Sequence, residues 1–147
     1  MRSAIYSILV AVVAMVGSPS LSTAADACSL LSKETAAAAL GEAVSEPKPS
    51  ASGGATACEF TGSGLNKIHL NVFQLTPDQA AYYKTLCDKK GKEGLSGLGP
   101  TACWYNDKHA ELQVLKGTTF FSIEMNRSGD PTESIKTAAK KVLDQIK

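Results

Sequence analysis

Two of the chain's four cysteines sit in nearly the same five letters, TACEF at residues 56–60 and TACWY at residues 101–105. Each pentapeptide opens a run in which apolar and polar residues alternate, so each places a cysteine in a β-strand. The other two, Cys28 and Cys87, lie in helix-like segments ahead of them. The economical reading staples a helix to a strand in each half of the chain, giving Cys28–Cys58 and Cys87–Cys103. Four cysteines allow three connectivities, and a Cys58–Cys103 bridge across neighbouring strands is the main competitor. The repeat also lets the two halves be laid over one another, with HLNVF (69–73) against ELQVL (111–115) downstream.

Disulfides require an oxidising compartment, and the N-terminus agrees. Arg2 precedes an apolar stretch from Ala4 to Val16, Ser18-Pro19-Ser20 breaks it, and Thr23-Ala24-Ala25 suits a signal peptidase cutting before Asp26. The apolar stretch is shorter than the roughly 20 residues a spanning helix needs. A signal peptide over residues 1–25 and a single domain over 26–147 follow, in a periplasmic or secreted protein without a membrane span after cleavage. Lipid attachment at Cys28 fits poorly, because Ala25 stands where an apolar residue such as leucine is wanted and the three remaining cysteines would be odd. The 15 Lys and Arg against 14 Asp and Glu become an even balance once Arg2 is removed. Such a chain has no electrostatic case for nucleic acid.

Residues 31–41 predict a first helix with Ser32 as cap, Leu31 against Ala36, and Gly41 as stop. A Pro/Ser/Gly stretch, 45–54, reads as a loop. Strands follow at 55–60 and 65–75, the latter with Ile68, Leu70 and Val72 inward. A helix from Thr76, with Pro77 first and Gln79 closing a capping box, runs to Lys90-Gly91. TACWY pairs with KHAELQVL (108–115), and TTFFSIEM (118–125) returns after Lys116-Gly117. The last helix has Asp130 as cap, Pro131 first, Glu133 completing a box, and an apolar stripe of Ile135, Ala138, Ala139, Val142 and Ile146. The order α-β-β-α-β-β-β-α predicts an α+β fold: an antiparallel sheet of about five strands with helices packed on one face.

The segments CSLL…ALG, ACEF and GLSGLGPTACWY resemble a family of small bacterial cell-envelope proteins of unknown function, many of them actinobacterial lipoproteins. The resemblance implies an extracytoplasmic α+β domain for binding or sensing and supplies no catalytic residue. Lipid tethering is not carried over, for the reason given at Ala25.

No nucleophile elbow, zinc-protease helix, phosphate loop or C-x-x-C occurs, so no enzyme and no cofactor is expected. Instead, the outer sheet face carries His69, Asn71, Phe73, Glu111, Gln113 and Phe120, together with Leu75, Leu115, Ser122 and Glu124. Large apolar residues mixed with amides and acids mark a ligand or partner site, for a small ligand or an envelope protein. The alternatives are cover by the long loop, a homodimer formed through this face, or a metal held by His69 and His109. Of Trp104 and Tyr105, one must point to each face.

Overall fold

The computed structural model describes residues 26–92 and 94–147; the expected signal peptide, 1–25, lies outside them. The helices are α1 (Ala27–Leu30), α2 (Lys33–Leu40), α3 (Pro77–Asp88) and α4 (Thr132–Gln145). The strands are β1 (Lys48–Ser52), β2 (Ala55–Thr61), β3 (Lys67–Gln74), β4 (Thr101–Trp104), β5 (Glu111–Lys116) and β6 (Thr119–Asn126). They form one antiparallel sheet in the order β1-β2-β3-β6-β5-β4. Two three-strand meanders thus meet at the central β3–β6 pair, and α3 carries the chain from the middle of the sheet to its far edge.

The expected class holds, with one strand more than the sequence suggested. β1 falls in the Pro/Ser/Gly stretch read as a loop, and all five of its residues are exposed. No apolar alternation announces it, because it contributes backbone pairing to β2 and no core side chain. Gly53 and Gly54, at φ +58° and +83°, supply the turn. Positive φ at both central residues matches the right-handed strand twist, and glycine adopts it freely. Pro49 is tolerated because β1 is an edge strand.

Local signals set most element ends. The Ser32 hydroxyl accepts from the Thr35 N–H at 3.2 Å, and Gly41 ends α2 in the left-handed conformation at φ +76°. Thr76 and Gln79 form the reciprocal capping box of α3, with Pro77 first. At α4 the expected cap shifts by one residue: the helix starts at Thr132 with Pro131 in the cap position, Asp130 one residue further out accepts from the Thr132 N–H at 2.9 Å, and Glu133 pairs with Lys136 instead of closing a box. The Arg127 guanidinium donates to the Ala39 carbonyl at 2.8 Å and the Ser134 hydroxyl at 3.0 Å, tying the end of α2 to the start of α4. Lys116 donates to the Ile146 carbonyl beyond the end of α4, where the dipole favours a cation.

Cross-strand register shows which side chains share a face. One row runs Cys58, Leu70, Ile123, Leu112, Trp104, and the next toward the turn of β2 and β3 runs Phe60, Ile68, Met125. With Val72, Phe121, Val114 and Ala102 they form the inner face, fully buried under α1, α2 and α4. The α4 stripe Ile135, Ala138, Ala139, Val142 and Ile146 is buried there as expected, and Leu95 and Leu98 of the α3–β4 connector join it.

Both expected bridges form, Cys28–Cys58 with Cα atoms 5.0 Å apart and Cys87–Cys103 with 5.5 Å. Cys103, however, lies in the row Ala57, Asn71, Ser122, Gln113, on the opposite face from Cys58. A Cys58–Cys103 bridge is therefore geometrically excluded. It follows that α1 is stapled to the inner face and α3 to the outer one, so the helices do not all share a face. The pentapeptides also do not superpose within the sheet, since β2 is second from one edge and β4 is the other edge.

Replacing Cys28 and Cys58 together by alanine is expected to lower the unfolding free energy by about 2–4 kcal/mol. Urea denaturation of the variant and the parent measures this, and an unchanged midpoint would show the bridge to be dispensable.

Candidate functional site

The outer face is built from parallel rows: three hold the expected site residues, and a fourth, Thr61, Lys67, Asn126, closes one end. The first runs Ala55, Phe73, Phe120, Leu115, Thr101. α3 roofs it: Ala80 and Tyr83 pack with Leu115, Phe120, Phe73 and Leu75 in a second, smaller apolar cluster. The Phe120 ring lies 4.2 Å from that of Tyr83 and 5.6 Å from that of Phe73, centroid to centroid and tilted. Such contacts add to simple burial. Phe120 is buried and Phe73 half-buried, so the apolar patch expected to be open is covered by the chain's own helix.

The second row, Ala57, Asn71, Ser122, Gln113, Cys103, is polar and self-satisfied. The Asn71 amide lies 3.3 Å from His69 Nδ1 and donates to the Ser122 hydroxyl at 3.5 Å. The Gln113 amide donates to Glu111 at 3.2 Å, and its oxygen accepts from the Lys90 ammonium at 3.4 Å. Gln113 and Ser122 are buried, and these bonds offset the cost of taking them from water.

The third row runs Lys48, Glu59, His69, Glu124, Glu111. Glu124 is exposed, and Glu59, His69 and Glu111 are partly so. Lys67 lies 3.7 Å from Glu59. Glu124 and Glu111 stand directly opposite one another on neighbouring strands, an arrangement that disfavours the folded sheet. Next to this row Tyr83 carries a phenol pushed up to about 12, by burial first and then by the negative charge of Glu111 and by Tyr105. The neutral phenol is thus the form the fold favours; the stability it contributes is full below pH 10 and lost as pH rises through 12.

All six residues expected at the site, His69, Asn71, Phe73, Glu111, Gln113 and Phe120, do share one face. They divide by accessibility: Phe120 and Gln113 are buried, while His69, Asn71, Glu111 and Phe73 remain partly open. The sequence reading missed Glu59, although it alternates with Cys58 and Phe60 in TACEF and so must point outward. It also missed Tyr83 and Lys90, because nothing local says on which face α3 lies. His109 is elsewhere. Its ring stacks on Trp104, centroids 4.6 Å apart at 23°, and Trp104 belongs to the inner face. The two histidines are therefore not brought together, and among the described residues no group of three or more His, Cys, Asp or Glu side chains is placed to hold a metal ion.

Comparison with models of protein families, with curated proteins and with solved structures finds no match to the chain.

Truncating Phe120 to alanine is expected to cost about 3–5 kcal/mol of stability in urea denaturation, and Phe73→Ala clearly less. A Phe120→Ala protein as stable as the parent would mean that α3 does not roof the row.

Proposed function

We propose that the protein is a non-enzymatic binding module of the periplasm or the extracellular space, which receives a basic segment of an envelope protein on the unroofed half of its outer sheet face. The observation that carries this reading is the third row. Three carboxylates, Glu59, Glu124 and Glu111, flank one imidazole on the sheet surface, with Lys48 and Lys67 beside Glu59 at one end of the row. Opposed glutamates are unfavourable for folding alone, and a bound cationic partner relieves their repulsion. The second row, beside them on the same face, ties Asn71 to His69 and Gln113 to Glu111 by hydrogen bonds. The two disulfides suit an oxidising compartment, and the resemblance to cell-envelope proteins points the same way.

Binding of this kind is mainly electrostatic and lies on an open surface. It is therefore expected to be salt-sensitive and to weaken by several-fold for each pair of charges removed. Calorimetric titration with a lysine-rich peptide at low ionic strength tests it. Glu59→Gln combined with Glu124→Gln is expected to weaken binding roughly three- to tenfold, with an unchanged melting temperature or a slightly raised one. Absence of binding heat, or equal affinity for the parent and the double variant, would refute this assignment of the face.

A further inference from the structure

A recess opens where the end of α3 meets the β4–β5 connection. It is a cleft of about 270 Å3 whose lining includes Lys89, Lys90, Trp104, Tyr105, Asp107 and His109. Its walls are fixed from several sides. The Trp104 N–H donates to the Gly91 carbonyl at 3.1 Å, so the connector leaving α3 lies along the edge of β4. The Cys87–Cys103 bridge anchors the same two segments. The Lys90 ammonium sits over the Tyr105 ring, 4.6 Å from its centroid, which holds the charge in place.

The connection from β4 to β5 is folded around His109. The Asn106 side chain accepts from the Lys108 N–H at 3.0 Å, and its carbonyl accepts from the His109 N–H at 3.3 Å. These bonds hold His109 at φ +51°, and it is the one non-glycine residue with positive φ among the described residues. A residue with a β-carbon resists that conformation, and sites that impose it tend to be functional. One face of the imidazole lies on the Trp104 indole. The ring is half-buried and lines the cleft, so its remaining exposure is the other face and the edge.

We propose that this cleft binds a small flat aromatic carboxylate. The ring of the ligand continues the Trp104–His109 stack, and its carboxylate meets the two ammonium groups of Lys89 and Lys90. Among the lining side chains two lysines, Lys89 and Lys90, stand against one carboxylate, Asp107. Asp130, outside the lining, lies near His109; its carboxyl is held below the usual carboxylate range first by hydrogen bonds from Thr132 and in lesser part by His109. The volume admits one ring and its acid group and falls below that of a drug-sized pocket. The Lys90 ammonium also donates to the Gln113 oxygen at 3.4 Å, so this cleft and the glutamate row are joined through Gln113, although their proposed ligands are different.

The protein carries one tryptophan, so its fluorescence reports on this cleft alone. Titrating the purified protein with benzoate is expected to give a saturable change in Trp104 emission, at least about tenfold weaker with uncharged benzamide. Lys89→Gln with Lys90→Gln should weaken benzoate by about tenfold or more. His109→Gly should abolish the response while leaving the melting temperature unchanged or higher, because glycine takes φ +51° without strain. His109→Asn, which also tolerates that conformation, gives the same readout if the glycine variant is poorly folded. No saturable change below about 10 mM benzoate, an equal response to benzamide, or undiminished binding in both His109 variants would overturn the proposal.

Discussion

The bridge between Cys87 and Cys103 ties α3 to the outer face of the sheet at its edge strand. Little else would keep the helix there. Only Ala80 and Cys87 of α3 are fully buried, with Tyr83 half-buried beside them, so its apolar stripe is thin. Closing a loop of 16 residues removes about 3 kcal/mol of chain entropy from the unfolded state in the loop-closure description. That is comparable to what the small Tyr83–Phe120–Leu115 cluster can contribute by burial. On the inner face the Cys28–Cys58 bridge adds to a larger packing contribution, because α4 brings a continuous apolar stripe to an apolar floor.

Roofing half of a sheet face divides its chemistry. Under α3 the face is apolar and belongs to the core. Beyond α3 it keeps a row of carboxylates around His69, supported by a hydrogen-bonded row of Asn71, Ser122 and Gln113. The same helix end, through Lys89 and Lys90, makes one wall of the Trp104–His109 cleft. The bridge therefore positions two differently charged surfaces, one acidic and one basic, on either side of a single attachment point.

Much of this was legible in the residues. Caps at Ser32 and Thr76, the stop at Gly41, the inward triplet of β3 and the stripe of α4 are all local signals, and each is realised. The helix-to-strand pairing of the cysteines was legible too. The face that α3 occupies was not, and the reason lies in parity. In TACEF the buried aromatic is Phe60, two residues after Cys58, so cysteine and aromatic point the same way. In TACWY the buried aromatic is Trp104, one residue after Cys103, so the cysteine points outward. Similar letters thus encode opposite faces, and only the register with β5 reveals it. β1 was invisible for a different reason: a strand with no buried side chain leaves no pattern to read. The mistaken openness of Phe73 and Phe120 follows directly from the face assigned to α3.

Hydroxyl-radical footprinting read by mass spectrometry tests the roofed face most directly, since the rate of oxidation follows side-chain exposure. Tyr82 and Tyr105 are 64% and 53% exposed, whereas Phe120 is 6% exposed and lies against Tyr83. The account requires fast labelling of Tyr82 and Tyr105 and strong protection of Phe120 and Tyr83, with the protection falling once both disulfides are reduced. Phe120 and Tyr83 labelled as fast as Tyr105 in the oxidised protein would contradict it, and the outer face would then be open from edge to edge.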